Sequence, residues 1–326
     1  MTDGEWAAVC DQLPAPAWMN GKGGKPEGYC HRQVIDAIRY LVDNGIKWRV
    51  MPADFPVWDR VYAFWRRWRE TGLIAEFHDR LRGKVRESEG RDVEPTAAII
   101  DSQSVRAAAS VPAASRGLDG GKKINGRKRH IIVDCLGLLL MVLVTAADVT
   151  DRDAACGMLE RLRVRYRRIR LVWVDGGCTG RLVDWAKETL RLTLEIVKRS
   201  DDTAGFVVLP RRWVVERTLS WLMRSRRLAR DYETRPQYRE AAVLWSMTMF
   251  MGHRLARHRT RNVPGHPPRR EHPGMRLGRP APLYQSLHLR PHPLDLRRNH
   301  LQTQPPGQLP RPQPGPARLR LRIVPN

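Results

Sequence analysis

The chain has 326 residues, enough for two modest domains, and its 58 lysines and arginines against 34 aspartates and glutamates give a formal net charge of +24. Because such an excess costs self-repulsion in the folded state, it favours a polyanionic partner, DNA or RNA before an anionic membrane surface. The five cysteines form no CxxC pair and the beginning MTDGEWAAV lacks the apolar stretch of a signal peptide, which argues against a disulfide framework, a structural zinc site and secretion, and fits the cytoplasm.

Residues 1–85 are predicted to form a small all-helical domain. Apolar residues recur at helical spacing from Arg32 to Asn44, and Gly45 is a plausible stop. A second helix is predicted from Val57 to Glu70. Two short helices, the second rich in arginine, suit a helix-turn-helix that binds DNA, and a helical bundle with a solvated basic face is the alternative. The predicted DNA contacts here are Arg60, Arg66 and Arg67.

Residues 94–255 are predicted to form an α/β domain. Three strands come first, the second and third joined by a tight turn at Gly137, and helices then alternate with two further strands before a final helix. Hairpins give antiparallel neighbours and helical crossovers give parallel ones, so we expect a mixed five-stranded sheet with flanking helices, in the order of a ribonuclease-H-like fold. The predicted strands are 96–105, 129–135, 138–146, 171–174 and 192–197, and the predicted helices are 151–165, 181–190 and 211–230.

Residues 256–326 are predicted to be a disordered tail. The last 66 residues contain 15 of the 24 prolines and 12 arginines but no lysine, with few apolar side chains for a core. The segment suits either a tail that binds nucleic acid or read-through from a disrupted reading frame. The arginine bias favours read-through of GC-rich DNA.

Three acidic residues stand in positions that favour catalysis. Asp101 follows the apolar run AAII, Asp175 ends the run LVWV, and Glu216 lies in the final helix. The first and fourth strands are central neighbours in the predicted sheet, and the final helix crosses it, so the three carboxylates are expected to converge. Such a group is tolerable when divalent metal binds between them, and two Mg²⁺ ions could then activate a water or a 3′-hydroxyl and stabilise the leaving oxygen of a phosphodiester.

Each of these acidic residues also has a structural interpretation. A lone aspartate at a strand end is usually a turn or helix cap, and Glu216 could simply pair with Arg212 on the helix surface. Four other acidic residues lie near strands, and caps or turns are the expected role for them: Asp134, Asp148, Asp151 and Asp153.

At these residues the sequence resembles the DDE transposases of insertion sequences, the fifth insertion-sequence family in particular. The matching segments are IIDSQSV, GKKINGRKRHIIVDCLGLLL, VWVDGGCTG, VVLPRRWVVERTLSWLMRSRRLARDYE and, near the N-terminus, IKWRVMPADFPVWDRVYAFWRRW. The resemblance covers residues 1 to about 255. Cys178 departs from it, because such sequences usually carry an aromatic residue there.

The resemblance implies a ribonuclease-H-like core, Mg²⁺ or Mn²⁺ and action on the terminal inverted repeats of a mobile element. It places Asp101, Asp175 and Glu216 on the three catalytic, metal-binding positions. Arg212 and Arg224 fall on basic positions of the signature around the glutamate. A homodimer that pairs two element ends, in a nucleoid-associated complex, is expected by analogy.

A basic segment before the second strand is predicted to contact DNA phosphates near the cut site, with a solvated basic loop as the alternative. Its members are Lys122, Lys123, Arg127, Lys128, Arg129 and His130. Two other functions stay open from the sequence. One is a nuclease or resolvase without strand transfer, and the other is an inactive remnant or regulator that only binds DNA.

Overall fold

The computed structural model describes residues 1–15, 28–178, 180–197 and 210–261. All of these residues belong to one compact unit, Met1–Pro268. Most of the predicted tail therefore lies outside the described residues. Its first residues do not form a tail, because the last described helix continues to Arg261.

Four helices precede the sheet: α1 (Asp3–Val9), α2 (His31–Asn44), α3 (Trp58–Glu70) and α4 (Leu73–Ser88). The apolar stripe of α2 is buried, and the helix ends at Gly45, whose φ of 69° is the left-handed conformation that favours glycine. Residues 45–57 separate α2 from α3, a longer connection than the three or four residues of a helix-turn-helix. The short turn instead joins α3 to α4, through Gly72 at φ 76°.

The sheet contains β1 (Ala97–Arg106), a short β2 (Gly117–Asp119), β3 (Ile124–Val133), β4 (Leu139–Ala146), β5 (Leu171–Val174) and β6 (Thr193–Ile196). β3 pairs antiparallel with both β1 and β4, and β5 pairs parallel with both β1 and β6. The main sheet therefore has the order β4-β3-β1-β5-β6, which confirms the predicted mixed five-stranded, ribonuclease-H-like arrangement. The strand β2 is an addition that pairs with the first residues of β3.

Helices cover both faces of the sheet. α5 (Asp151–Arg165) and α6 (Arg181–Leu190) pack on one face, in a core with the side chains of Ala98, Ile100 and Ile132. On the other face, α1–α4 share a core with α7 (Pro210–Arg224), α8 (Arg226–Ala229), α9 (Pro236–Arg261) and the sheet residues Ile99 and Ile131. The hydrophobic core thus runs across the predicted boundary between the helical and the α/β domains.

The hairpin between β3 and β4 shows how local chemistry fixes the sheet. Gly137 has φ +78°, and the carboxylate of Asp134 accepts hydrogen bonds from the backbone N–H groups of Leu136 and Leu138, both at 2.9 Å. Asp134 is completely buried and forms an ion pair with Arg86 of α4. Its predicted place beside a turn is confirmed, and the same side chain anchors α4 to the sheet.

Candidate active site

The alternation of β-strands sorts the residues around Asp101 between the two faces of the sheet. Ala98 and Ile100 belong to the core beneath α5, whereas Ile99 belongs to the core beneath α7. By the same period, Asp101 lies on the α7 side, and Ser102 lies on the α5 side. The hydroxyl of Ser102 indeed donates to Asp151 at the start of α5, over 2.8 Å.

The parallel register of β1 and β5 places Asp175 beside Asp101. Ala97 pairs with Leu171 and Ile99 pairs with Trp173 in the parallel ladder between β1 and β5. Carried two residues further, this register sets Asp175 beside Asp101. Both carboxylates line the same small cleft, together with Arg212 of α7. The predicted meeting of the first and fourth strands therefore brings these two aspartates together.

The environment of Asp101 disfavours its charged form. Burial is the main cause that raises the pKa of Asp101 to about 6, and the charges of Asp175 and Glu216 raise it further. A 2.7 Å hydrogen bond from the backbone N–H of Ser102 and the charge of Arg212 act in the opposite direction and offset only part of the shift. The positive charge of Arg212 therefore does not compensate for the burial of this carboxylate.

Glu216 lies within electrostatic range of Asp101 but is bound to another residue. Its carboxylate forms an ion pair with Arg212, one helical turn earlier, with 3.1 Å between Oε1 and the Nε of Arg212. Both side chains are close to half exposed, so the pair is held loosely and can exchange for other partners. The carboxylate of Asp175 accepts a hydrogen bond from the backbone N–H of Gly177, at 3.1 Å.

The carboxylates of Asp101, Asp175 and Glu216 are suitable ligands for a hard divalent cation, although the three do not converge on one point. Within residues 1–15, 28–178, 180–197 and 210–261, no three His, Cys, Asp or Glu side chains are arranged so as to hold a metal ion. Mg²⁺ and Mn²⁺ prefer carboxylate oxygens. The under-compensated charge of Asp101, next to Asp175, is the environment that such a cation would relieve, and Glu216 would join after leaving Arg212.

A second polar cluster lies just across β1 from this site and was not predicted as one. Asp151 contacts Ser102, the Nζ of Lys128 at 3.3 Å and the Nδ1 of His130 at 3.5 Å. Asp101, Asp151 and Asp175 line one cleft. Thr150 is the N-cap of α5, as its side chain accepts from the backbone N–H of Asp153. The sequence showed Asp151 only as part of a capping turn, and the strand alternation around Ser102 was the signal that could have linked it to Asp101.

The predicted phosphate contacts from the basic segment require a correction. β3 begins at Ile124, five residues before the predicted strand, so four of the six residues lie on a central strand and are buried: Arg127, Lys128, Arg129 and His130. Their side chains alternate between the two sheet faces and are satisfied internally. Such groups hold the fold together and are not accessible to DNA.

Each buried cation has identifiable partners. Arg127 donates to backbone oxygens of Glu233 and Thr234 and pairs with Asp231, and Arg129 donates to Gln103. Burial lowers the pKa of Arg129 to about 9. On the α5 face, burial lowers the pKa of His130 to about 4, which keeps its imidazole neutral at pH 7.

The other predicted DNA-contacting residues lie at the surface. Lys122 and Lys123 occupy the exposed turn between β2 and β3, where Asp119 accepts from the backbone N–H of Lys122. The arginines Arg60, Arg66 and Arg67 of α3 are exposed, as is Arg224 at the end of α7. Trp213 is 46% exposed one turn before Glu216. The side chain of Cys178 lies outside the described residues.

Two family models match this chain. The model described as "Transposase DDE domain" matches residues 93–251, and "Putative transposase of IS4/5 family" matches residues 1–78. Over 105 residues, which are 31% of this chain and 69% of the relative, the sequence is 27% identical to the "Insertion element IS402 uncharacterized 16.2 kDa protein" of Burkholderia cepacia. No solved structure matches significantly.

None of the described helices combines the length and apolar character needed to cross a membrane. The first family model falls on all six strands of the sheet, and the second falls on α1–α3 and the beginning of α4. The chain therefore belongs to the DDE transposases of insertion sequences, enzymes that act on DNA and cut it with the help of divalent metal.

Proposed function

We propose that this transposase binds the terminal inverted repeats of its insertion sequence, cleaves the DNA there and transfers the cut strand to target DNA. The catalytic residues in this proposal are Asp101, Asp175 and Glu216. The observation that carries it is the register of β1 and β5, which sets Asp101 beside Asp175 under the helix that bears Glu216.

Asp101 and Asp175 would hold the cation, Mg²⁺ or Mn²⁺ and two ions in the full complex, and Glu216 would complete the donor set. Bound there, such ions supply an activated water or 3′-hydroxyl and neutralise the charge on the leaving oxygen of the phosphodiester. The chain's own contribution is orientation. The backbone N–H groups of Ser102 and Gly177 fix one oxygen of each aspartate.

Arg212 has a part of its own in the proposal. Its ion pair engages Glu216, whose negative charge and that of Asp101 repel each other. With a cation held by Asp101 and Asp175, Glu216 would join them as a third ligand and would release the guanidinium of Arg212. That guanidinium would then be available to a DNA phosphate at the edge of the same cleft.

DNA recognition in the proposal rests on the exposed cations. The arginines Arg60, Arg66 and Arg67 line the solvent side of α3, opposite its buried Trp65 and Trp68, and Lys122 and Lys123 extend from a turn. We propose a homodimer for the active complex, because two element ends must be paired, and a cytoplasmic, nucleoid-associated location, because that is where the DNA lies.

The test begins with the DNA that flanks the gene, where short inverted repeats define the substrate. Purified protein is incubated with a duplex that carries one repeat, and with a pre-cut repeat end that offers a 3′-hydroxyl, each with a plasmid target and Mg²⁺. We expect cleavage of the first substrate and joining of the second. Asp101→Ala, Asp175→Ala and Glu216→Ala should each abolish both reactions and retain DNA binding, whereas the exposed Asp54→Ala should change neither.

Each other outcome has a defined meaning. Cleavage without joining identifies a nuclease or resolvase. DNA binding without metal-dependent cleavage identifies an inactive remnant or a regulator. Full activity in any one of the three variants gives that residue a structural role.

A further inference from the structure

A basic cleft lies between α7 and α9, and of its lining residues only Arg224 has been named above as a predicted DNA contact. Its volume is about 610 Å³, and the ends of α2 and α4 complete its rim with Asp43 and Glu89. The sequence did not predict it, because α9 was not predicted.

The cleft has more positive charge than its own carboxylates can neutralise. Four guanidinium groups line it, those of Arg217, Arg224, Arg254 and Arg257. Arg254 pairs with Glu89 at 3.0 Å. Arg224 and Arg257 are exposed and make no ion pair within the described part of the chain.

Arg217 is held rigidly although its charge is not neutralised. Its guanidinium lies 4.9 Å from the centre of the Trp221 ring, and that ring stacks on Phe250 of α9, with centroids 4.0 Å apart and planes at 25°. One NH₂ group of Arg217 donates to the carbonyl of Leu136, while its buried Nε has no hydrogen-bond partner among the described residues. The nearby charge of Arg254 adds to burial in lowering the pKa of Arg217. An anion in the cleft would neutralise the charge of this guanidinium.

Helix geometry relates this cleft to the proposed active site. Arg217 and Arg224 project about 80–100° around α7 from Glu216, at 100° per residue. Arg224 lies roughly 12 Å further along the helix axis at 1.5 Å per residue, which is about three to four base-pair steps of B-DNA at 3.4 Å each. One helix therefore carries both the proposed catalytic glutamate and one wall of the basic cleft.

We infer that the cleft between α7 and α9 binds the phosphodiester backbone of substrate DNA a few base pairs away from the position that is cut. The ligand is the phosphate backbone and not a base, because the Trp221 ring is already occupied by Phe250 and Arg217. Arginines suit phosphate because they donate two parallel hydrogen bonds. This assignment rests on the proposed function, since it requires DNA in the catalytic cleft. It deepens that function by adding a surface made largely by α9.

The experiment measures binding of a fluorescein-labelled duplex that carries the inverted repeat, by anisotropy, in the full-length protein at several KCl concentrations. Arg257→Glu should weaken binding by more than threefold and Arg257→Lys should retain most of it, because Arg257 is exposed and supplies charge. Arg257→Ala should lower the slope of log K against log salt by about 0.9, the value for one lost phosphate contact. The matched controls are the same three changes at Arg167, an exposed arginine after α5, and they should leave affinity and slope closer to those of the wild type.

Two contrary results are distinguishable. If Arg257 and Arg167 variants behave alike while the wild type still cleaves DNA with metal, the cleft is not a DNA site and the proposed function stands. If the wild type binds no duplex, both the cleft and the proposed function are overturned.

Discussion

Replacing Asp101 with asparagine should stabilise the metal-free protein while it removes catalysis. Burial, with the charges of Asp175 and Glu216, raises the pKa of Asp101 from 3.8 to about 6. The folded state therefore binds this proton more tightly than the unfolded state, so ionisation at neutral pH acts against folding. At 1.36 kcal/mol per pKa unit, the cost is about 3 kcal/mol at pH 7.5. Asparagine avoids that cost and can still accept from the backbone N–H of Ser102.

The sign of the pH dependence makes this prediction specific. The cost is absent below about pH 4, grows between pH 4 and 6, and is complete above about pH 6. The free energies of unfolding of the wild type and Asp101→Asn can be measured with urea in EDTA. They should be nearly equal at pH 4, and at pH 7.5 that of Asp101→Asn should be higher by up to about 3 kcal/mol. Mg²⁺ should narrow the gap, because it binds the ionised carboxylate. An equal or lower stability of Asp101→Asn at pH 7.5 would refute the reasoning, and Asp54→Asn is the control for a generic change.

Three further predictions follow from described contacts. Arg86→Met leaves the carboxylate of Asp134 buried without its ion-pair partner, so urea denaturation should show a loss of about 3–5 kcal/mol, and a loss below about 1 kcal/mol would contradict the pairing. The double change of Lys122 and Lys123 to alanine should lower the salt slope of DNA binding by up to about 1.8, and an unchanged slope would remove this turn from the interface. Arg212→Gln releases Glu216 from its ion pair and removes a positive charge near the proposed cation site. The Mn²⁺ affinity of this variant, measured by calorimetric titration, should therefore exceed that of the wild type, whereas a lower affinity would show that Arg212 helps to position the metal-binding residues.

Much of the catalytic fold was predictable because its signals are local. The hairpin at Gly137 needs one glycine at positive φ, α5 begins just after its Thr150 cap, and β5 is a short apolar run. These features determine strand order through connection rules that do not depend on distant side chains. The neighbouring positions of Asp101 and Asp175 follow from that order.

The errors came from contacts between residues far apart in the sequence. The segment that contains Arg127 and Arg129 has the composition of a solvated basic loop. In the fold, residues 227–234 return beneath the sheet and supply acceptors to both guanidinium groups, together with Ser115 and Gln103. The helix α9 was missed for a related reason. Its apolar residues pack against α1, α2 and α4. They are therefore spread over a wider arc of the helix surface than the single amphipathic stripe by which a helix is recognised in a sequence. The basic cleft depends on α9 and could not be predicted without it.

The proposed cation site can be tested most directly by Mn²⁺ binding to the purified protein, followed by the loss of the free-ion signal in electron paramagnetic resonance. The wild type should bind Mn²⁺ at neutral pH. Asp101→Asn, Asp175→Asn and Glu216→Gln should each weaken binding at least tenfold, while Asp54→Asn, at an exposed position between α2 and α3, should retain it. Wild-type binding in all three substituted proteins, or an equal loss in Asp54→Asn, would contradict the convergence of residues 101, 175 and 216 on a shared cation.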